Sequence, residues 1–473
     1  MDPREKGELA GLQQQNDALQ TRIDESAGTK LVAVLSVALF FSVMNGSMFV
    51  VALPDIARQF TLLPSQAGWV IIGYAVIFAL GSMTYGKLAD IYSLRRLITV
   101  GVLLFAIGSL IGLFSNGFAM LIAGRLVQAL GASAIPALAM LIPIRYFPFS
   151  ERGRVLGIAA SSIAFGAGIG PLTGGLVTGL LHWRYLFLVS LGMSITLPFF
   201  RLWLADEPKK EGSFDFIGAV TLAVAVAALL LLITKYSPLL MAVSIVSFGL
   251  FLIRVNRARN PFIQPTLLAN RYYRNALVNG FLAMGSAFGI MFLVPLMLSH
   301  TNQLNTAIIG MVMFPGAMSA AIMGRKGGKL ADRKGSVSVV YMALALMSLG
   351  FIALSTFAGS SIYAIVLSLV VGNTGFAFIQ AALAKVVSTT LPHKQAGVGM
   401  GIYNLVNFMA GALSVAVLGK FLDISSSSMA INPLAIKPAA FIYSNLFFGL
   451  AIVTLVNIGL FHHTFKGFKS TGE

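Results

Sequence analysis

Fourteen long apolar runs constrain this chain more than anything else in it. A helix needs about 20 residues to cross the hydrocarbon core, so apolar stretches of ~18 or more read as membrane spans. The runs place helices 1 to 14 at about 31–53, 67–86, 97–114, 118–141, 154–180, 185–204, 216–235, 238–254, 275–299, 305–324, 336–357, 362–386, 396–420 and 441–461. With 57% of its 473 residues hydrophobic and only 10% charged, the chain has too little polar surface to cover a water-soluble fold. The fold class is therefore an all-α polytopic membrane protein.

The net charge of +17 would suit a nucleic-acid binder, but the charges are in the wrong places for one. Of the 33 Lys and Arg, 27 fall in one alternate set of loops and tails, five in the other, and one, Arg125, inside helix 4. That asymmetry is the positive-inside pattern, and it puts both termini in the cytoplasm. The expected partners are the lipid bilayer and small molecules, not nucleic acid. Cysteine is absent, which excludes disulfides and thiolate metal sites, and no metal or cofactor is expected. Residues 1–30 are polar, lack the apolar core of a signal peptide, and read as a frayed cytoplasmic leader. Self-association through Leu9, Leu12, Leu19 and Ile23, which share one helical face, is the alternative. Residues 466–473 read as a cytoplasmic tail.

Gly86-Lys87-Leu88-Ala89-Asp90, between helices 2 and 3, returns as Gly328-Lys329-Leu330-Ala331-Asp332 between helices 10 and 11. The copies are 242 residues apart, and helices 1 and 9 begin about 244 apart, so six helices are followed by two inserted ones and six more. Such a repeat is a common plan of secondary transporters. Residues 31–204 and 275–465 are the two six-helix bundles. Residues 205–274 hold a charged linker, two extra spans and a basic cytoplasmic segment. A carboxylate just ahead of a helix, Asp90 or Asp332, can accept amide hydrogen bonds. Arg95, Arg96, Arg333 and Lys334 are near enough in sequence to pair with it. Gly86 and Gly328 would let the chain turn and neighbouring helices approach.

These stretches resemble the loop 2–3 signature of the major facilitator superfamily, G-x-L-a-D-r-x-G-r-k. The first copy departs from it at Ile91, Ser93 and Leu94, whereas the second keeps Arg333 and Gly335. The resemblance implies a latch, in which Gly86, Asp90, Arg95, Gly328, Asp332 and Arg333 hold the cytoplasmic ends of the bundles in one conformation. Helix 5 resembles the antiporter signature g-x-x-x-G-P-x-x-G-G through Gly166, Gly170, Pro171, Gly174 and Gly175, which implies export. Physically, its small residues allow close helix contact, and Pro171 frees a backbone carbonyl. Arg125 and Gln128 are similar to the helix 4 motif R-x-x-Q-G, with Ala129 in place of glycine, and the implied role is to couple substrate and proton occupancy. A guanidinium inside a span costs at least ~2.5 kcal/mol, so it needs a cavity or a partner. His182-Trp183-Arg184-Tyr185 matches the aromatic-basic start of helix 6.

The end of helix 1, Asn45 to Pro54, resembles the signature l-D-x-T-v-v-n-v-A-L-P of the fourteen-helix drug:proton antiporters, with Asn45 in the acidic position. Beyond the leader the chain is similar to the Gram-positive tetracycline efflux proteins of the K and L classes. Shared stretches include Leu53-Pro54-Asp55-Ile56-Ala57, Phe214-Asp215, Phe314-Pro315-Gly316 and Tyr443-Ser444-Asn445-Leu446. The resemblance implies secondary active export of hydrophobic drug-like compounds, tetracycline among them, from the bacterial cell by proton antiport and alternating access.

One departure leaves the coupling open. All sixteen acidic residues lie in tails, loops or helix ends, and no histidine is mid-span. Where related exporters place carboxylates, helices 1, 5 and 13 offer Asn45, Ala167 and Ala410. Three readings follow. Asp55, Asp90 or Asp332 carries the proton near a surface; or substrate is exchanged without protons; or the substrate is neutral or anionic, which an unpaired Arg125 favours. An exporter or flippase of an endogenous lipid or metabolite fits the last two. Further candidates for the substrate pathway, beside Asn45, Arg125 and Gln128, are Asn279, Asn373, Gln380, Tyr403, Asn404 and Asn407, with Tyr74. Lys385 is expected to snorkel. Gly324-Arg325-Lys326-Gly327-Gly328-Lys329 lacks the phosphate-loop pattern, so transport by ATP hydrolysis is not expected, and no hydrolase motif suggests an enzyme.

Overall fold

The structure, a computed structural model, describes residues 25–208, 214–258, 262–263, 265–391, 395–424 and 429–466. Most of the leader, with Leu9, Leu12, Leu19 and Ile23, lies outside the described residues, as do 209–213 of the linker, part of the basic segment and the tail beyond 466. The described residues form helices and no strands. Among the described residues, fourteen helices are long and apolar enough to cross a membrane. They are α1 (Gly28–Val51), α2 (Pro64–Leu88), α3 (Leu94–Leu113), α4 (Phe118–Ala139), α5 (Ser150–Leu180), α6 (Tyr185–Trp203) and α7 (Phe216–Lys235). The rest are α8 (Pro238–Arg257), α9 (Arg271–His300), α10 (Thr306–Lys334), α11 (Ser336–Phe357), α12 (Ile362–Thr389), α13 (Gly397–Ile424) and α14 (Pro438–Phe465). An even number of crossings puts the start of α1 and the end of α14 on one side, called the terminus side; the opposite side is called the far side.

Several helices outrun the apolar stretches that announce them. α10 continues from 324 to Lys334, so Gly328 and Asp332 lie in its last turns and not in a loop. Polarity marks where hydrocarbon ends; the helix goes on, because its amide bonds stay paired and Lys and Arg stems reach into water. The turn-forming glycine of the second copy is Gly335, at φ 81°. Gly86 is helical too, and a Cβ added at Gly86 or Gly328 would meet nothing within 4 Å. Neither glycine serves a tight turn or a close approach, contrary to the sequence expectation.

α4 breaks at Ser133. Pro136 has no N–H to give the Ala132 carbonyl, and Ser42 of α1 donates to that carbonyl instead at 3.0 Å. α6 passes through a 3₁₀ stretch at Leu191–Thr196.

The first six helices pack on one another chiefly as α1 on α5, α3 on α4 and α2 on α4. The last six pack as α11 on α12, α10 on α12, α9 on α13 and α11 on α14. The two sets meet along α5 and α10 and along α2 and α13. α7 pairs with α8 and rests on both α2 and α13, and Trp69 of α2 donates its ring N–H to Thr234 of α7 at 3.3 Å.

Residue spacing explains why α5 lies where it does. Gly166, Gly170 and Gly174 recur every fourth residue and so share a face. A side chain at Gly166 would stand 2.6 Å from the Phe40 carbonyl of α1, and one at Gly170 would come within 3.1 Å of the Met44 carbonyl. The adjacent stripe is Pro171, Gly175 and Gly179. A side chain at Gly175 would lie 2.7 Å from Gly310 Cα, and one at Gly179 would lie 2.6 Å from the Ala307 amide, both in α10. α5 is therefore held backbone to backbone by α1 on one face and α10 on the next. These approaches lie in the far-side half of α5; at Gly153 and Gly157, in its terminus-side half, an added Cβ meets nothing.

Candidate functional site

Arg125 is 1% exposed in the middle of α4. Its Nη1 donates to Asn45 Oδ1 of α1 and to Gln128 Oε1, both at 2.7 Å. Asn45 donates in turn to Ser190 Oγ of α6 at 2.6 Å, and Gln128 donates to Ser109 Oγ of α3 at 2.8 Å. The guanidinium lies between two rings, 4.1 Å from the Phe49 centroid and 4.0 Å from that of Tyr74. α1 and α4 thus supply the neutral side-chain acceptors, serines of α6 and α3 anchor those acceptors in turn, and α1 and α2 supply π faces. Desolvated cation–π contacts contribute about 2 kcal/mol each, and charge-assisted hydrogen bonds about 1.5–3 each. Together these offset the insertion cost, so the cation is held without a carboxylate. It is partnered, though not neutralised: among the described ion pairs none includes Arg125.

A second polar group lies in the other half. Asn279 is 2% exposed, Tyr403 2%, Asn407 7% and Asn457 0%. Asn279 donates to the Asn275 carbonyl at 2.7 Å, and Asn457 donates to the Asn279 carbonyl at 3.1 Å. The amide oxygens of all three asparagines and the Tyr403 hydroxyl have no hydrogen-bond partner, and neither does the Tyr74 hydroxyl. A Cβ on Gly280 would be 2.8 Å from the Tyr403 ring and 2.9 Å from Asn407 Oδ1, so those two groups share one spot against α9. Phe408, one residue on, meets Phe78 of α2 at 5.0 Å. Buried acceptors and hydroxyls left unpaired cost about 1–3 kcal/mol each, which a donor on a guest molecule would recover. Asn373 is half-buried and donates to its own helix at Leu369, 2.9 Å away. Gln380 and Asn404 are exposed. The sequence suggested one set of pathway residues, of which the structure joins Asn45, Arg125 and Gln128 in one cluster and Asn279, Tyr403 and Asn407 in another; Ser109, Ser190 and Asn457 were missed, although Asn457 carried the same signal, a polar residue inside an apolar run.

The repeated terminus-side stretches differ in their contacts. Lys385 of α12 pairs with Asp332 at 2.8 Å rather than only snorkelling. Asp90 is exposed, and Arg96 pairs with Asp206 at 3.0 Å instead. That bond, with a second from Ser93, holds the Asp206 carboxyl below the usual carboxylate range. Arg145 bridges Glu207, at 2.8 Å, and the Ala89 carbonyl, at 2.7 Å. Neither Asp90 nor Asp332 caps the following helix. Ser93 caps α3, accepting from the Arg96 amide at 3.3 Å, and Gly335 precedes α11. Ser93 stands in the first copy where Gly335 stands in the second; its extended backbone, φ −64°, needs no glycine. Arg95 and Arg333 both flank these stretches, half-buried and exposed respectively. Asp215 caps α7 and is held by Arg254 at 2.9 Å. Burial pushes its carboxyl up, but bonds from Arg254 and the Gly218 and Phe262 amides outweigh that and leave it below the usual range.

The fourteen apolar helices of the described residues, two matched sets of six and an inserted pair, with polar groups buried inside each set of six, define a multi-pass membrane transporter, not an enzyme. The Major Facilitator Superfamily profile matches residues 35–415, and the chain belongs to that family. It is 25% identical over 399 residues to the riboflavin transporter RibZ of Clostridioides difficile, covering 83% of this chain and 87% of that protein. It is 27% identical over 408 residues to the multidrug resistance protein Stp of Mycobacterium tuberculosis, covering 83% and 76%. With the quinolone resistance protein NorB of Staphylococcus aureus it shares 29% identity over 374 residues, covering 76% and 80%. Among solved structures, a POT family transporter in complex with 5-aminolevulinic acid superposes with a TM-score of 0.68 at 16% identity, covering 91% of this chain and 94% of that one. A bacterial homolog to the human lysosomal transporter Spinster gives 0.67 at 13% identity, covering 94% and 98%.

Proposed function

We propose that the protein exports hydrophobic drug-like compounds from the bacterial cell by alternating access and proton antiport. The observation that carries this reading is the glycine run of α5, packed against both α1 and α10 where the two halves meet. A smooth backbone contact lets one half rock on the other without unpacking large side chains. Two of the relatives are named for resistance to drugs, which supports a drug-like substrate. Quinolones and tetracyclines are the first compounds to try. Residues 31–204 and 275–465 act as the rocking bundles, and 205–274 join them. The termini lie in the cytoplasm, as the loop charges favour. Substrate would lie between the Arg125 group and the Tyr403–Asn407 spot. The stretches around Gly86, Asp90, Gly328 and Asp332 would latch the cytoplasmic ends. Asp55, Asp90 or Asp332 would carry the protons near a surface.

A second reading is favoured by a specific observation: Arg125 is surrounded by neutral acceptors only. A fixed buried cation favours a neutral or anionic substrate, such as an endogenous metabolite or lipid, moved without classical proton coupling. The relative named as a riboflavin transporter supports keeping it. Accumulation assays in a host stripped of its own exporters test the two. Lower cell content of a quinolone or tetracycline on expression is the expected result. Unchanged drug content with altered release of a flavin or an acidic metabolite would overturn the first reading in favour of the second.

A further inference from the structure

We propose that Asp55 and Asp423 are a matched pair of locks that hold the far face shut, each by gripping the first turn of a helix in the other half. Asp423, at the far end of α13, accepts from the Ser65 amide at 3.0 Å and also from the Ser65 hydroxyl. Ser65 lies in the first turn of α2. Asp55, just after α1, accepts from the hydroxyl of Thr306, the first residue of α10. Ser65 and Thr306 are 241 residues apart, within one residue of the spacing between the two repeated stretches. The receiving ends are therefore equivalent positions of the repeat, although the acids come from unrelated places. A carboxylate at a helix N-terminus meets free amides and the positive end of the helix dipole.

The surroundings fit a lock more than a surface contact. The Asp423 side chain is 5% exposed and has Lys420 at 3.8 Å, with Lys420 in turn 4.9 Å over the Tyr236 ring of the inserted pair. The Asp55 side chain is 25% exposed, with Arg58 at 3.3 Å. Beneath the locks the halves touch closely. A Cβ on Gly419 would be 2.8 Å from Ser65 Cα, and one on Gly68 would be 3.1 Å from Val415. The far ends of α2 and α10 hold these cross-half contacts, and the opposite ends of the same two helices carry the repeated Gly-Lys-Leu-Ala-Asp stretches. Opening the far face must break both locks, so they set how often the protein faces outward.

The proposal rests on the alternating-access reading, but its test needs no substrate. The chain has no cysteine, so Val415→Cys introduces one reporter, placed where it is 0% exposed. A membrane-impermeant maleimide is added to one face, then in a separate experiment to the other, and the labelling rate is measured. Asp55→Ala and Asp423→Ala should each raise far-face labelling about tenfold, equivalent to about 1.4 kcal/mol, and the double variant should raise it further. Ser65→Ala and Thr306→Val, which remove partners and leave both acids, should act in the same direction; they serve if an acid variant fails to fold. Unchanged labelling in the double variant would overturn the locks. A wrong membrane orientation would show as labelling from the other face, and an unidentified substrate would leave the result intact.

Discussion

Arg125 was recognisable because a guanidinium inside an apolar run is expensive anywhere but in a prepared site. Its surroundings were less so. Ser109 and Ser190 bond their own helices at Phe105 and Leu186 while also accepting from Gln128 and Asn45. Serine commonly bonds its own helix, so nothing local distinguishes these two. Phe49 is one of 35 phenylalanines, and only packing shows that it covers the cation. The arrangement makes the charge fixed and its direction set by two planes. Arg125→Ala should abolish transport while the protein still elutes as a single folded species, and Arg125→Lys should fail as well, since an ammonium cannot lie flat between two rings while donating sideways. Full flux in Arg125→Ala would remove the central role assigned to it.

The helix α5 was the most legible of the fourteen, because its small residues fall in two adjacent stripes and each stripe needs its own close neighbour. Which neighbour could not be read, since nothing in Gly175 or Gly179 names Gly310 and Ala307. Gly310→Val tests the contact, because a side chain there would stand 2.5 Å from the Pro171 carbonyl. It should fold, hold the far face apart, expose a cysteine at position 415 to the outside reagent and cut transport at least about tenfold, equivalent to about 1.4 kcal/mol. Gly157→Ala, where an added Cβ meets nothing within 4 Å, should behave as the parent. The ends of helices were the least legible. α10 carries its charges through nearly three further helical turns, and the second repeated stretch, expected between helices 10 and 11, is helix as far as Lys334.

The repeat spacing revealed two halves and an inserted pair, because a duplicated plan leaves a measurable offset in the sequence. It could not reveal what joins the halves. Asp423 meets Ser65 across 358 positions and Thr306 meets Asp55 across 251, and no local pattern encodes partners that far apart. Nor did the chain disclose how a transporter without a mid-span carboxylate would move protons. That is the point to measure. Purified protein is placed in liposomes with a pH-sensitive dye inside, and a quinolone or tetracycline is added outside. Antiport predicts an internal pH change that requires the compound, disappears in Arg125→Ala, and weakens when Asp55 or Asp90 is replaced by asparagine. Movement of the compound with no pH change would contradict it and make the protein a carrier that works without protons.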